Sequence, residues 1–168
     1  MPIPFQDQNT VSTGTAGYLK FLTPAAKGVW LGALFIMNDR GEPVEFTHAR
    51  VSSPKPLLWR PNDLRMRCIE SLCASMFDVC PVVPDLLLCL SEEGDLRSLA
   101  ESISLRVPVG RITHDGSGGD VSTRWSMDFA PHSPPARIHK RLCERGLLVE
   151  PFERAEAGLR EVYSELLR

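Results

Sequence analysis

Residues 29–51 read VWLGALFIMNDRGEPVEFTHARV, and this stretch decides the fold. Its first part, residues 29–37, is a continuous apolar run rich in β-branched and aromatic side chains, which is typical of a buried strand. Asn38 to Gly41 form a turn signal, because Asn, Asp and Gly tolerate the positive φ that tight turns need. Over residues 44–51 apolar and polar side chains alternate, with the period of a half-buried strand. The stretch therefore predicts an antiparallel hairpin.

The rest of the chain extends this hairpin into a mixed α/β fold. A strand over residues 18–23 precedes it and completes an N-terminal antiparallel β-meander. An apolar stripe at helical spacing predicts a helix over residues 62–80, and a strand–helix–strand pattern over residues 86–112 continues the sheet as a parallel βαβ unit. We expect a last edge strand at residues 125–129, then two C-terminal helices. The predicted architecture is a mixed sheet flanked by helices.

The composition fits one globular domain: 168 residues, of which 43% are hydrophobic and 24% charged. We assign residues 17–168 to a single mixed α/β domain and residues 1–16 to a flexible N-terminal arm. The net charge of −2 includes no basic excess, so we do not expect nucleic acid as a partner. The sequence shows neither a secretory signal nor an apolar run of the ~18 residues that a membrane span needs, so no membrane association is expected.

The five cysteines are an odd number, which favours reduced thiols and a cytoplasmic location. They form no CxxC pair, the spacing typical of structural zinc sites. Cys80, at a predicted helix end before Pro81, is the most accessible and is a candidate nucleophile. A β-meander followed by a helix, over residues 18–80, is similar in order to ubiquitin-conjugating enzymes. That resemblance implies a cysteine-dependent transferase, but the expected motif around the cysteine is missing, so no residue is carried over.

Loop residues supply a second hypothesis, a small metal-dependent hydrolase or nuclease. His114 and Asp115 begin the loop HDGSGGD, whose hard ligands can hold a divalent cation, although it lacks the alternating acids of a calcium-binding loop. Open α/β sheets bind ligands at the carboxyl ends of their strands. There Glu92 and Glu93 would meet His114 and Asp115, with His132 close by. A flexible linker is the alternative interpretation of the glycine-rich loop.

The leading interpretation is a non-catalytic accessory or protein-interaction module of a larger intracellular assembly. It rests on Trp59 and Trp125, which lie in or beside loops, and on the excess of arginine over lysine. Arginine and tryptophan are favoured at protein interfaces, where lysine is depleted. Arg137, one turn into the helix that follows His132, is a further binding candidate, since helix N-termini attract anions. We then expect another protein or a second copy as the partner, and no metal or cofactor.

Overall fold

A computed structural model of the chain describes residues 14–24, 28–93, 99–101, 103, 106–114 and 120–168. The strands within these residues are β1 (Thr15–Leu22), β2 (Val29–Asn38), β3 (Pro43–Ser52), β4 (Leu86–Leu90), β5 (Val109–His114) and β6 (Val121–Trp125). The α-helices are α1 (Pro61–Val79), α2 (Pro134–Glu144) and α3 (Glu150–Val162). Single 3₁₀ turns occupy Pro56–Leu58 and Ser91–Glu93. All of the strands join one sheet in the order β3-β2-β1-β4-β5-β6.

The sheet is mixed, as the sequence predicts. β1, β2 and β3 are antiparallel neighbours, which confirms the predicted hairpin and meander. β4 pairs in parallel with both β1 and β5, as a βαβ unit requires, and β6 is antiparallel to β5 at the far side. Consequently β1, β3, β4 and β5 all end at the same edge of the sheet. We call this edge the carboxyl edge and the other one the amino edge.

Helices cover both faces of the sheet. On one face α1 buries Ile69, Leu72 and Met76 against Leu34 and Leu87 of the strands. α2 and α3 pack on the other face, around a cluster of large buried side chains: Tyr18, Phe35, Leu88, Ile112, Ile138, Leu142, Phe152 and Leu159. Burying one such side chain contributes roughly 1.5–3 kcal/mol. This double burial explains why β2 and β4 are apolar without alternation.

Three strands have bounds that differ from the prediction by two or more residues. β1 begins at Thr15 and not at residue 18. The last strand is Val121–Trp125 rather than residues 125–129, and the ring of Phe129 instead packs edge-on against Trp125, with centroids 4.8 Å apart. β5 begins at Val109 and not at residue 107, because Pro108 has no amide hydrogen to donate to a neighbouring strand.

Other predictions fall partly outside the described residues. Residues 1–13 of the predicted arm lie there, while β1 already begins at Thr15. Within the helix predicted after Asp95, residues 99–101 are helical and the segment 94–98 is outside the description. Among the described residues, no helix combines the length and apolarity needed to cross a membrane.

Candidate functional site

The carboxyl edge is the part of the sheet where a ligand site is expected, because open α/β sheets bind ligands beyond the carboxyl ends of their parallel strands. The chain turns there between β1 and β2, where Gly28 has a φ of 56°, a left-handed conformation that glycine adopts without strain. After β3, a loop follows the same edge into the first turn of α1. The 3₁₀ turn Ser91–Glu93 comes directly after β4. Of these segments, the turn after β4 lies beside the end of β5, because β4 and β5 are neighbours, whereas β1, β2 and β3 are further along the sheet.

His114 and Glu92 lie at the ends of adjacent strands. Leu90 of β4 is paired with Ile112 of β5. Glu92 comes two residues after Leu90, and His114 comes two residues after Ile112. Neighbouring strands are about 4.8 Å apart, and both side chains are exposed. Asp115 lies outside the described residues, as does the side chain of Glu93. Their part in a site remains a prediction.

His132 and Cys80 lie on the side of the amino edge, away from His114. Because β6 is antiparallel to β5, the loop that carries His132 leaves β6 where β5 begins. α1 likewise runs from the carboxyl edge to the amino edge, and Cys80 is its C-cap. The half-buried Cys80 thiol donates to the carbonyl of Val82 at 3.3 Å. The structure therefore brings neither residue to the end of β5.

The three predicted binding residues have different surroundings. Trp59 is 39% exposed, in the loop before α1 at the carboxyl edge. Trp125 is half-buried and packs edge-on against His139 of α2, with centroids 5.0 Å apart. Arg137 is exposed on α2, next to Ile138, whose side chain packs beside Gly14 at the start of β1. Only Trp59 lies at the carboxyl edge.

Two arginines that the sequence analysis did not single out hold the turn after β4. Arg65 on α1 donates through Nη2 to the carbonyl of Glu92 at 2.5 Å. Arg111 on β5 donates through Nη2 to the carbonyl of Ser91 at 2.7 Å. Since Ser91 and Glu92 are consecutive residues, the two guanidinium groups bind carbonyl groups of neighbouring residues. Arg111 could have been noticed in the sequence as a lone cation inside an apolar strand.

A third arginine lies next to this pair. Arg124 of β6 is directly opposite Arg111 in the antiparallel register, so the two side chains share the face of the sheet that α1 covers. The Nε atom of Arg111 is buried and has no hydrogen-bond partner in the described part of the chain. We call Arg65, Arg111 and Arg124 the arginine cluster.

The described residues do not fit a metal ion. Within the described ranges, no three histidine, cysteine, aspartate or glutamate side chains converge so that they could hold one. Asp63, an acid near the carboxyl edge, is paired with Arg60 at 2.6 Å. Beside Glu92 and His114, the described part of this edge offers guanidinium groups, which bind anions.

Burial makes the core cysteines poor nucleophiles. It raises the pKa of the Cys73 thiol in the core to about 12. Cys143 is exposed, and partial desolvation raises the pKa of its thiol as well. His139 Nε2 lies 3.7 Å from the Cys143 sulfur, but burial lowers the pKa of this imidazole, so it carries little positive charge. A thiolate needs a nearby cation or a helix N-terminus to form near neutral pH. The transferase hypothesis thus remains with Cys80 alone and is untested.

Neither the protein-family models nor the curated proteins include a match to this sequence. Among solved structures, an endonuclease V from Streptomyces avermitilis is similar over 99% of this chain and 89% of that chain, with a TM-score of 0.59 and 14% sequence identity. An endonuclease V from Bacillus subtilis aligns with 67% of this chain and 52% of that chain, with a TM-score of 0.45 and 15% identity. The first of these likenesses establishes the fold.

This likeness overturns two expectations from the sequence. The leading interpretation, a non-catalytic accessory or protein-interaction module, is wrong, because the solved structure that the chain resembles over nearly its whole length is a nuclease. The expectation that nucleic acid is not a partner is wrong for the same reason. The second hypothesis, a small hydrolase or nuclease, agrees better with this finding. The chain has an endonuclease V-like α/β fold.

Proposed function

We propose that this chain is a nuclease that binds and cleaves nucleic acid at the carboxyl edge of its sheet. The observation that carries the proposal is the likeness to an endonuclease V over 99% of the chain. Because fold alone does not fix an activity, the chemistry of the edge has to support it. Three properties of that edge do so: exposed apolar side chains, cations and titratable groups.

Trp59 provides a surface on which a base can stack. It follows Leu57 and Leu58, which are 93% and 81% exposed, so the loop before α1 presents an apolar tip to solvent. The exposed cations Lys55 and Arg60 flank this tip. Stacking a base on an aromatic ring is worth about 1–3 kcal/mol, and flanking cations attract the phosphate backbone. The loop therefore suits a single strand or an unpaired base.

His114 and Glu92 are the groups that we assign to proton transfer. Cleaving a phosphodiester requires a proton to leave the attacking group and another to reach the departing oxygen. Imidazole and carboxylate groups carry out such transfers in many enzymes, and these two lie at adjacent strand ends. Asp115, next to His114 in the sequence, is a further candidate.

We also propose that the protein works in the cytoplasm. The five cysteines, all within the described residues, form no disulfide bond, and a reducing compartment keeps thiols reduced. A protein with this activity needs access to nucleic acid, which the cytoplasm provides.

The test is a cleavage assay with the purified full chain. Fluorescein-labelled single-stranded and duplex DNA and RNA are each incubated with Mg²⁺, with Mn²⁺ or with EDTA, and products are separated on denaturing gels. We expect at least one of these substrates to be cut. His114→Ala should slow that cleavage about 10²–10⁴-fold, the usual contribution of a general acid or base. His132→Ala is the matched control, because the loop that carries His132 follows β6 at the amino edge, away from His114.

Three results would count against parts of this proposal. Failure to bind any of the four nucleic acids would overturn it entirely. Binding without cleavage under every condition would leave nucleic-acid binding and overturn the nuclease assignment. If His114→Ala is folded and cleaves the substrate as fast as the wild type, the reaction does not take place at the end of β5.

A further inference from the structure

We infer that the arginine cluster is a subsite that binds a backbone phosphate of the nucleic acid directly, without a divalent cation. This inference rests on the proposed function and names the group that holds the substrate. Phosphate is the anion that planar guanidinium groups bind best, through pairs of parallel hydrogen bonds.

Two members of the arginine cluster are held in place in the free protein. Arg65 and Arg111 each use one Nη2 to bind a backbone carbonyl of the turn after β4. These two bonds come from different elements, α1 and β5, and fix both side chains against Ser91 and Glu92. Fixing them in the free protein removes part of the conformational entropy cost of binding an anion. Each guanidinium has five donors, so others remain for a ligand.

The cluster carries an electrostatic cost that an anionic ligand would relieve. Like charges directly opposite each other on neighbouring strands are destabilising, and Arg111 and Arg124 form such a pair. Within the described part of the chain, neither of them pairs with a carboxylate, whereas Arg67 on α1 is within 3.8 Å of Glu70. The Nε of Arg111 is also buried without an acceptor among those residues. An anion between the two side chains would neutralise their repulsion and accept hydrogen bonds from their guanidinium groups.

Glu92 distinguishes a phosphate site from a metal site. Its carboxylate is exposed on the same turn that Arg65 and Arg111 hold. Next to a bound phosphate it would repel the ligand, so removing its charge would strengthen binding. As a metal ligand it would attract the cation that bridges to phosphate, so removing its charge would weaken binding. The sign of the effect therefore separates the two arrangements.

The experiment measures binding by the full-length protein with fluorescence anisotropy. The probes are the fluorescein-labelled oligonucleotides of the cleavage assay, titrated at several salt concentrations with EDTA and then with Mg²⁺, and a gel confirms that each stays intact. Variants are Arg65→Gln, Arg111→Gln, Arg124→Gln and Glu92→Gln. Arg67→Gln is the matched control, because it removes a cation from the same helix outside the cluster. Circular dichroism and urea unfolding check that each variant is folded.

We expect each cluster variant to bind about tenfold more weakly, as losing a charge-assisted hydrogen bond implies. The slope of log K against log salt should fall by about 0.7–0.9 for each lost phosphate contact. Arg67→Gln should match wild type, Glu92→Gln should bind more tightly, and EDTA should have no effect. Should Arg111→Gln fail to fold, the exposed Arg124 and partly exposed Arg65 give the same test.

Different failures have different meanings. If the cluster variants are folded and bind with the affinity and the salt dependence of the wild type, the arginine cluster is not a phosphate subsite. The proposed function would remain intact. Binding that requires Mg²⁺, or that Glu92→Gln weakens, would overturn direct binding of phosphate. If wild type binds none of the oligonucleotides, the subsite and the proposed function are both wrong.

Discussion

Replacing Tyr18 with phenylalanine tests how the sheet holds its helical layer. Tyr18 is fully buried in β1, and its hydroxyl donates to the carbonyl of Leu147, between α2 and α3, at 2.6 Å. The substitution removes this bond and keeps the ring, which packs edge-on against Phe152 at 5.2 Å. A hydrogen bond contributes about 0.5–1.5 kcal/mol net, and a buried polar group left unsatisfied costs about 1–3 kcal/mol. Because Leu147 is only half-buried, we expect Tyr18→Phe to lower the free energy of unfolding by about 1–2 kcal/mol.

The same hydroxyl makes this difference depend on pH. Burial raises the pKa of Tyr18 far above its ordinary value of 10.0. The unfolded chain therefore releases this proton near pH 10, while the folded protein keeps it. The stability that Tyr18 contributes is fully present below that pH and is lost above it, at about 1.4 kcal/mol per pH unit. Phenylalanine has no such proton, so the difference between the two proteins should shrink above about pH 10 and then change sign.

Urea unfolding followed by circular dichroism, from about pH 7 to about pH 11, measures this difference. Tyr163→Phe is the control, because it removes the other tyrosine hydroxyl, which bonds to His48 Nδ1 at 2.8 Å in a more exposed place. We expect a smaller cost for Tyr163→Phe at neutral pH. A difference between wild type and Tyr18→Phe that stays constant up to about pH 11 would refute the burial argument. No cost at neutral pH would refute the hydrogen bond.

Three further substitutions test packing, charge and binding. Gly110→Ala would place a methyl group 2.8 Å from the ring of Trp125 and 2.9 Å from Leu88, so urea unfolding should show a loss of stability, by about 1–3 kcal/mol. Arg141→Ala removes the half-exposed cation 2.5 Å from the carboxylate of Asp39, a side chain only 2% exposed, and should cost about 1–3 kcal/mol in the same assay, more than Arg137→Ala. Trp59→Ala should weaken oligonucleotide binding by about 1–3 kcal/mol in anisotropy titrations and leave the urea midpoint unchanged. If Trp59→Ala binds the oligonucleotides with wild-type affinity, the ring of Trp59 is not part of the binding surface.

The apolar pattern of the sequence was sufficient to predict the strands that are completely buried. Residues 86–90 are apolar without interruption, and β4 has these same bounds because both of its faces are covered. The hairpin 29–51 was predictable because its turn residues are local to it. β6 was misplaced because an edge strand needs little apolar surface: Val121 at its start is 41% exposed. Pattern therefore fails where burial is partial.

The candidate site needed information that no local pattern holds. Arg65 and Arg111 are far apart in sequence. Arg65 alone resembles an ordinary surface cation, and Arg111 differs from one only in being a cation inside an apolar strand. They meet because α1 and β5 both border the turn after β4. His132 illustrates the opposite error, since it is close in sequence to His114 but β6 carries the chain back to the amino edge between them. Strand direction, which depends on the whole sheet, decides both cases.

The exclusion of nucleic acid failed because net charge is a sum over the whole surface. Acidic side chains are concentrated in α3, where Glu150, Glu153 and Glu156 follow one another within two turns. The arginine cluster lies on the face that α1 covers, with the sheet between it and α3. Stacked layers are about 10 Å apart, and charges beyond a Debye length of about 8 Å are largely screened at physiological salt. A phosphate at the carboxyl edge would therefore respond to the arginines beside it, and a net charge of −2 carries no information about that encounter.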